Sequence, residues 1–239
     1  MQAYLAILRY DVIQLAHSWL LRTWIALLVL AAAFFVAVAA SQEEKASETL
    51  AVYVLAIVAP VSALAVAIIG GTSVSGEAAI ASDSILARSV TRTEYVAAKV
   101  TSRLLIAVAV LVAVMAPVSH LILRYSSESD ASTAGVIAGS LMVTAVLLAV
   151  LAPAIALSTF LRSSFFAALI ALAASAFLAG TFYFIGLSWL SSWGVFSELA
   201  ATFRGETALW REIAVIVAYG LICVFGVGAA FAVFRRRDL

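Results

Sequence analysis

Residues 135–160 read GVIAGSLMVTAVLLAVLAPAIALSTF, a run of 26 residues without Asp, Glu, Lys or Arg. A helix needs roughly 20 apolar residues to cross about 30 Å of hydrocarbon at 1.5 Å per residue. Five further runs meet this requirement and also lack the four charged residue types, which are costly at the centre of a span. The six predicted spans are Trp24–Ala40, Leu50–Ile69, Leu104–Leu123, Gly135–Phe160, Phe165–Leu187 and Ile213–Phe234.

The composition predicts the same class of protein. The 239 residues are 65% hydrophobic and 11% charged, with a mean hydropathy of +1.15, whereas soluble domains average about 45–50% apolar and about 25% charged residues. We therefore predict an all-α, polytopic membrane protein with a single transmembrane domain over residues 1–239. The net charge of +1 indicates no surface for nucleic acid. Cys223 is predicted to be a small core residue, and Gly135, Gly139, Gly226 and Gly228 predict close helix packing.

The basic residues are distributed unevenly between the two sides of the predicted bundle. An even number of spans puts both termini on one side, and ten of the 14 Lys and Arg residues fall there. Because Lys and Arg concentrate in short cytoplasmic loops, we predict that both termini are cytoplasmic and that the chain lies in the cell (inner) membrane. The basic residues on the terminal side are Arg9, Arg22, Arg88, Arg92, Lys99, Arg103, Arg162, Arg235, Arg236 and Arg237. Those on the other side are Lys45, Arg124, Arg204 and Arg211.

Two segments outside the spans have patterns of their own. Residues 1–21 carry an apolar stripe at helical spacing with Arg9 and Asp11 off it, which predicts an amphipathic helix in the inner interface or packed against the bundle. That stripe consists of Leu5, Leu8, Val12, Leu15 and Trp19. Residues 188–211 form the longest outer connection, and their aromatic side chains suit the headgroup level as a belt or as a re-entrant or interfacial helical pair. These aromatic residues are Trp189, Trp193, Phe196, Phe203 and Trp210.

No motif in the sequence supplies a source of energy or a catalytic site. There is no Gly-rich phosphate loop and no His-Glu-x-x-His, so we predict that the chain is not an enzyme by itself and has no catalytic, cofactor or metal site. His17 and His120 are far apart and are predicted to be interfacial or packed residues. Pro60, Pro117 and Pro153 each lie inside a span and remove a backbone hydrogen bond. They are either hinges or prolines that a membrane helix tolerates.

The most charged stretch follows span 2. Residues 75–100 read SGEAAIASDSILARSVTRTEYVAAKV and include six charged side chains. Ser75 or Gly76 can cap a short helix that begins near Glu77, whose carboxylate favours the helix dipole. Thr91 and Glu94 fit a capping box that starts a second helix leading into span 3. A short helix followed by a stiff entry into a span would transmit an applied force to spans 2 and 3. The alternative is a solvated cytoplasmic loop.

This region resembles the membrane subunits of ABC-2-type ATP-binding-cassette transporters. The similar motifs are Ser75-Gly76-Glu77, Ser89-Val90-Thr91-Arg92, Glu94 and Lys99, together with the C-terminal sequence FRRRDL. The chain departs from the family at Asp83-Ser84, where Gly-Thr is frequent, and at Ser89, where Pro is usual. The six spans, the N-terminal helix and the outer segment are also similar.

The resemblance implies a coupling helix at about 76–87, within a cytoplasmic coupling region at 72–103, that docks into a separate ATP-binding subunit. The implied unit contains two ATP-binding subunits, which hold ATP and Mg, and two membrane subunits, which are identical or homologous. Such a unit usually exports its substrate. Closure of the ATP-binding subunits would switch access between the two sides of the membrane. The positions implied to contact the ATP-binding subunit are Gly76, Glu77, Ile80, Asp83, Ser84, Ile85, Arg88 and Arg92.

Two other classes of function stay open on the sequence. One is a self-sufficient channel or secondary carrier, and the other is a membrane scaffold or assembly factor that moves no substrate. Under the transporter interpretation, the nearly charge-free spans favour an apolar or amphipathic cargo.

Overall fold

Six long helices form the bundle that the hydrophobic runs predict. The structure is a computed structural model that describes residues 2–41, 44–74 and 91–236. The helices, numbered here as spans 1 to 6, are each long and apolar enough to cross a membrane. Their bounds are Trp19–Ser41, Ala46–Gly71, Arg92–Tyr125, Thr133–Phe160, Ser164–Phe184 and Leu209–Arg236. The prediction of an all-α protein with six apolar spans is confirmed for the described part of the chain.

Spans 2, 3 and 4 form the centre of the bundle, and spans 1, 5 and 6 lie at its periphery. Burial within the chain reaches 50–56% of the most apolar part of the three central spans, against 17–22% for the three peripheral ones. Large apolar side chains therefore remain exposed on the peripheral spans, for example Leu30, Phe177 and Phe225, as expected for surfaces that face lipid. Cys223 of span 6 is only partly buried, so the prediction that it is a core residue is wrong.

The start of span 3 and the end of span 6 lie together at one end of the bundle, the end at which an even number of spans places both termini. Tyr95 at the start of span 3 stacks on Phe234 near the end of span 6, with ring centroids 6.0 Å apart. At the same end, Ser73 after span 2 hydrogen-bonds to Ser158 of span 4 at 2.6 Å. We refer to this end as the inner end because the distribution of basic residues predicts that it is cytoplasmic.

At the opposite, outer end, hydrogen bonds and charges join three connections. Ser47 donates from its backbone N and its Oγ to the Asp130 carboxylate at 2.9 and 2.6 Å, and Arg204 donates to Ser47 Oγ at 3.3 Å. Partial burial acts to raise the pKa of Asp130, but the bonds from Ser47 and the charge of Arg204 outweigh it and hold the pKa below its ordinary value. The starts of spans 2 and 4 are thus tied to the connection between spans 5 and 6.

The connection between spans 5 and 6 folds into three short helices, a 3₁₀ turn at Ser188–Leu190 and α-helices at Ser192–Ser197 and Leu199–Arg204. The Tyr219 hydroxyl donates to the Leu190 carbonyl at 3.0 Å. Tyr219 is ten residues, or about 15 Å, into span 6, and its side chain leans towards the start of that span. This connection therefore packs beside the first turns of span 6 and not above them. Phe203 is fully buried, so its prediction as a headgroup-level aromatic residue is wrong.

Glycines of span 4 make room for this connection. A Cβ added to Gly135 would lie 2.6 Å from the Phe203 carbonyl oxygen, and one added to Gly139 would lie 2.5 Å from the Phe203 ring. The small residues predicted to permit close packing therefore receive a short helix of the outer connection. A Cβ at Gly226 would lie 2.9 Å from the Pro153 nitrogen, whereas one at Gly228 would meet nothing within 4 Å. The packing prediction thus holds for three of these four glycines.

We expect Gly135→Ala to destabilise the fold by about 1–3 kcal/mol, because the new methyl group would meet backbone atoms that cannot move independently. The matched control is Gly228→Ala, which adds the same methyl group to open space and replaces a poor helix former. The free energy of unfolding of both variants in mixed micelles measures the difference. Equal stability of the two variants would show that the contact between span 4 and the outer connection is looser than the structure has it.

The three prolines differ in their effect on helix geometry. Span 2 changes from α- to π-helical hydrogen bonding over Val54–Val58 and resumes as an α-helix at Ala59, one residue before Pro60. Pro117 and Pro153 lie inside uninterrupted α-helices. Since π-helical turns occur frequently at functional sites, Pro60 is the strongest of the three hinge candidates. The assignment of all three prolines as hinges stays a prediction.

Candidate coupling site at the inner end of the bundle

The structure places the two flanks of the predicted coupling region but not its centre. Seven of the residues implied to contact an ATP-binding subunit lie outside the described residues, and of Arg92 only the backbone, at the first helical position of span 3, is described. These seven are Gly76, Glu77, Ile80, Asp83, Ser84, Ile85 and Arg88. The predicted helix at 76–87 therefore stays a prediction, and the site is built from what holds its flanks.

The flank that leaves span 2 is fixed to spans 4 and 5. A Cβ at Gly70 would lie 2.7 Å from the Ala154 Cβ, and one at Gly71 would lie 2.7 Å from the Ser164 carbonyl oxygen. The span continues as an α-helix through Gly71, so these two glycines provide close helix contacts. Beyond them Ser73 is fully buried on Ser158, which ties this flank to span 4.

The flank that enters span 3 begins with the predicted capping box. Thr91 Oγ1 accepts a hydrogen bond from the Glu94 backbone N–H, and the Glu94 side chain accepts one from the Thr91 N–H, each at 3.2 Å. From there a single α-helix runs 34 residues to Tyr125, or about 51 Å, which exceeds the roughly 30 Å of the hydrocarbon core. The prediction that the second helix continues into span 3 is confirmed.

A buried ionic cluster fastens the N-terminal helix, Gln2–Ala16, to this first part of span 3. The Asp11 carboxylate accepts from Lys99 Nζ at 2.7 Å and contacts both Arg103 Nη1 and Ser102 Oγ. All four residues are nearly inaccessible to solvent. Removing one partner from a buried, hydrogen-bonded ion pair is strongly destabilising. The cluster therefore makes the N-terminal helix and the start of span 3 one mechanical unit.

Sequence reasoning placed Asp11 on the wrong face of the N-terminal helix. Asp11 is buried, and Ile7 packs against the core beside it. Of the predicted stripe, Val12 and Leu15 also pack against the core, whereas Leu5 and Trp19 are exposed. The signal that was missed is the spacing of Ile7, Asp11 and Leu15, which are four residues apart and so share one side of a helix. An acidic residue in an apolar stripe, with Lys99 and Arg103 elsewhere on the same predicted side of the membrane, indicates a buried pair.

Two further contacts join span 3 to other elements at the inner end. Tyr95 stacks on Phe234 of span 6, and Lys99 Nζ lies 5.7 Å from the centroid of the Tyr95 ring. The Tyr4 hydroxyl donates to Thr101 Oγ1 at 3.1 Å. The segment 75–90 thus connects two flanks that are held by different contacts. The end of span 2 packs on spans 4 and 5, and the start of span 3 packs on the N-terminal helix and on Phe234 of span 6.

No protein family, no curated protein and no solved structure matched the chain. Within the described residues, no group of three or more His, Cys, Asp or Glu side chains is placed to hold a metal ion.

Proposed function

We propose that the chain is the membrane-spanning permease subunit of an ABC transporter and that a separate ATP-binding subunit drives it through residues 76–88. The observation that supports this most strongly is the construction of span 3. It begins in a capping box directly after this segment and is joined to the N-terminal helix by the Asp11–Lys99–Arg103 cluster. The resemblance of Ser75-Gly76-Glu77 and the following motifs to ABC-2-type membrane subunits supplies the class of partner.

The mechanism follows from how the flanks are held. When two ATP-binding subunits close on ATP and Mg, they displace residues 76–88, and the displacement passes into a helix that spans the membrane without interruption. Moving an equilibrium from 1:99 to 99:1 takes about 5.5 kcal/mol of differential stabilisation. A flexible connection would dissipate that energy, whereas a capped helix with a buried ionic clamp moves as one body. The end of span 2 is held by spans 4 and 5, so the displacement changes how span 3 and the N-terminal helix pack against the rest of the bundle.

Several finer features belong to the same proposal. Both termini face the cytoplasm, the N-terminal helix lies at the inner interface, and the outer connection at 188–211 enters the membrane from the opposite side. The working unit contains two membrane subunits and two ATP-binding subunits, and it exports its substrate. The depth at which Leu190 contacts Tyr219 supports the re-entrant course of the outer connection.

The test is reconstitution of the purified chain in liposomes, alone and with the ATP-binding subunit isolated with it from its native membrane. We expect the chain to raise the ATP hydrolysis rate of that subunit several-fold and to move no solute alone. Solute flux by the chain alone, sensitive to membrane potential or pH, would instead identify a channel or secondary carrier. Co-purification without stimulated hydrolysis and without flux would identify a scaffold or assembly factor.

A further inference from the structure

A cavity of about 340 Å³ lies inside the bundle near mid-membrane. Most of its lining comes from spans 4 and 5, with two residues each from span 2, span 6 and the segment that contains the helix at Ser192–Ser197. On span 5 it is open to the outside, where Ala174 and Phe177 are exposed. We call this cavity the lateral cleft.

The lateral cleft is elongated along the bundle axis. Its lining runs from Val146 to Pro153 on span 4 and from Ala171 to Leu178 on span 5. Each of these stretches covers seven helical steps, or about 10 Å. The volume lies within the range of about 300–1,000 Å³ that is typical of ligand pockets. Alanines create much of the space, since five of them line the cleft.

The lining offers a ligand apolar contacts and, in the described part of the chain, no charged side chain. Among the described residues that form it, no Asp, Glu, Lys, Arg or His is present. The polar groups on the wall are already engaged, since Ser175 Oγ donates to the Leu172 carbonyl at 2.7 Å and the Tyr219 hydroxyl donates to the Leu190 carbonyl at 3.0 Å. A charged or strongly polar group would therefore lose its hydration in the cleft without gaining a hydrogen-bond partner, which is unfavourable. A hydrocarbon segment has no such hydrogen bonds to lose.

We propose that the lateral cleft binds the acyl chain of an amphiphile that enters sideways from the bilayer. The uncharged lining that the structure describes offers no partner for a polar headgroup, so only the hydrocarbon part of such an amphiphile would occupy the cleft. An extended hydrocarbon chain is thin enough to enter at Ala174 and Phe177 and to lie along the lining of about 10 Å. That this amphiphile is the transported cargo rests on the proposed function, whereas the binding itself does not.

The test uses a fatty acid with a photoreactive diazirine in its tail, added to the full-length chain in lipid nanodiscs. Peptide mapping after illumination is expected to find adducts in residues 146–153 and 171–178 that excess unlabelled fatty acid suppresses at least fivefold. Two substitutions in the lining, Ala171→Leu and Ala174→Phe, should each lower this labelling at least fivefold. The matched control is Ala173→Leu, an exposed neighbour outside the lining, and it should change the labelling by less than twofold.

Labelling of the exposed face of span 1 provides an internal measure of labelling efficiency, because lipid reaches that face whether or not the cleft is filled, and thermal unfolding of each variant measures folding. Two results would overturn the proposal. In the first, excess fatty acid does not suppress the labelling of residues 146–153 and 171–178. In the second, both lining variants leave this labelling intact while the labelling of span 1 is normal. Disulfides that form between Ala174→Cys chains in a Cys223→Ser background, and so join two copies through the cleft, would also overturn the proposal. None of these outcomes affects the stimulation of ATP hydrolysis, so failure here is distinguishable from failure of the proposed function.

Discussion

Asp11→Asn is expected to lower the free energy of unfolding by about 3–5 kcal/mol, the cost of removing one partner from a buried ion pair. The substitution keeps the size of the side chain but removes the charge that faces Lys99 and Arg103 in a nearly inaccessible site. We also expect the N-terminal helix to detach from span 3, since the cluster and Tyr4 are its polar links to that span.

The measurement is unfolding in mixed micelles together with hydrogen exchange of residues 2–16. The matched control is Glu206→Gln, which also removes one carboxylate from an ion pair, with Arg204 at 2.9 Å, but at a site where the Glu206 side chain is 59% exposed. Such surface pairs contribute about 0–1 kcal/mol. If Asp11→Asn costs no more than Glu206→Gln, the N-terminal helix is not clamped to span 3 as the structure has it.

Glu77→Lys is expected to abolish the stimulation of the partner's ATP hydrolysis while the chain remains folded. Under the proposed function this carboxylate lies in the first turn of the coupling helix and faces the ATP-binding subunit. Reversal of its charge would turn an attraction at a contact surface into a repulsion, and like charges placed together across an interface cost several kcal/mol.

The readout is the ATP hydrolysis rate of the reconstituted complex, with thermal unfolding of the isolated chain as the measure of folding. The matched control is Glu128→Lys, the same charge reversal at the outer end, where Glu128 lies in the connection between spans 3 and 4. It should leave the stimulation within about twofold of that of the unaltered chain. Unchanged stimulation by the Glu77→Lys chain would remove the coupling role from this residue.

The spans were predictable because their signal is local and large. Each is a run of some 20 residues without charge, and the cost of a charge in hydrocarbon makes such runs unambiguous. The capping box at Thr91 and Glu94 was also predictable, since both of its hydrogen bonds join residues three apart.

The contacts between distant parts of the chain were not predictable in this way. Asp11 pairs with residues 88 and 92 positions away, and helical periodicity on the N-terminal segment alone fits two different faces. The packing of Phe203 on Gly139 likewise depends on how the outer connection folds back into the bundle. Aromatic residues near a span end suit both the headgroup level and the core, so composition does not decide between them.

The most direct test of the central claim is to locate position 77 relative to the membrane and to the ATP-binding subunit. A Glu77→Cys chain in a Cys223→Ser background has one cysteine, because Cys223 is the only native one. In vesicles of known sidedness, we predict that a membrane-impermeant maleimide labels the introduced thiol from the cytoplasmic face alone. We also predict that a maleimide carrying a photoreactive benzophenone crosslinks this position to the ATP-binding subunit. Two results would contradict the account. One is labelling of position 77 from the exterior. The other is labelling from the cytoplasmic face that persists when the ATP-binding subunit is bound, with no crosslink to that subunit.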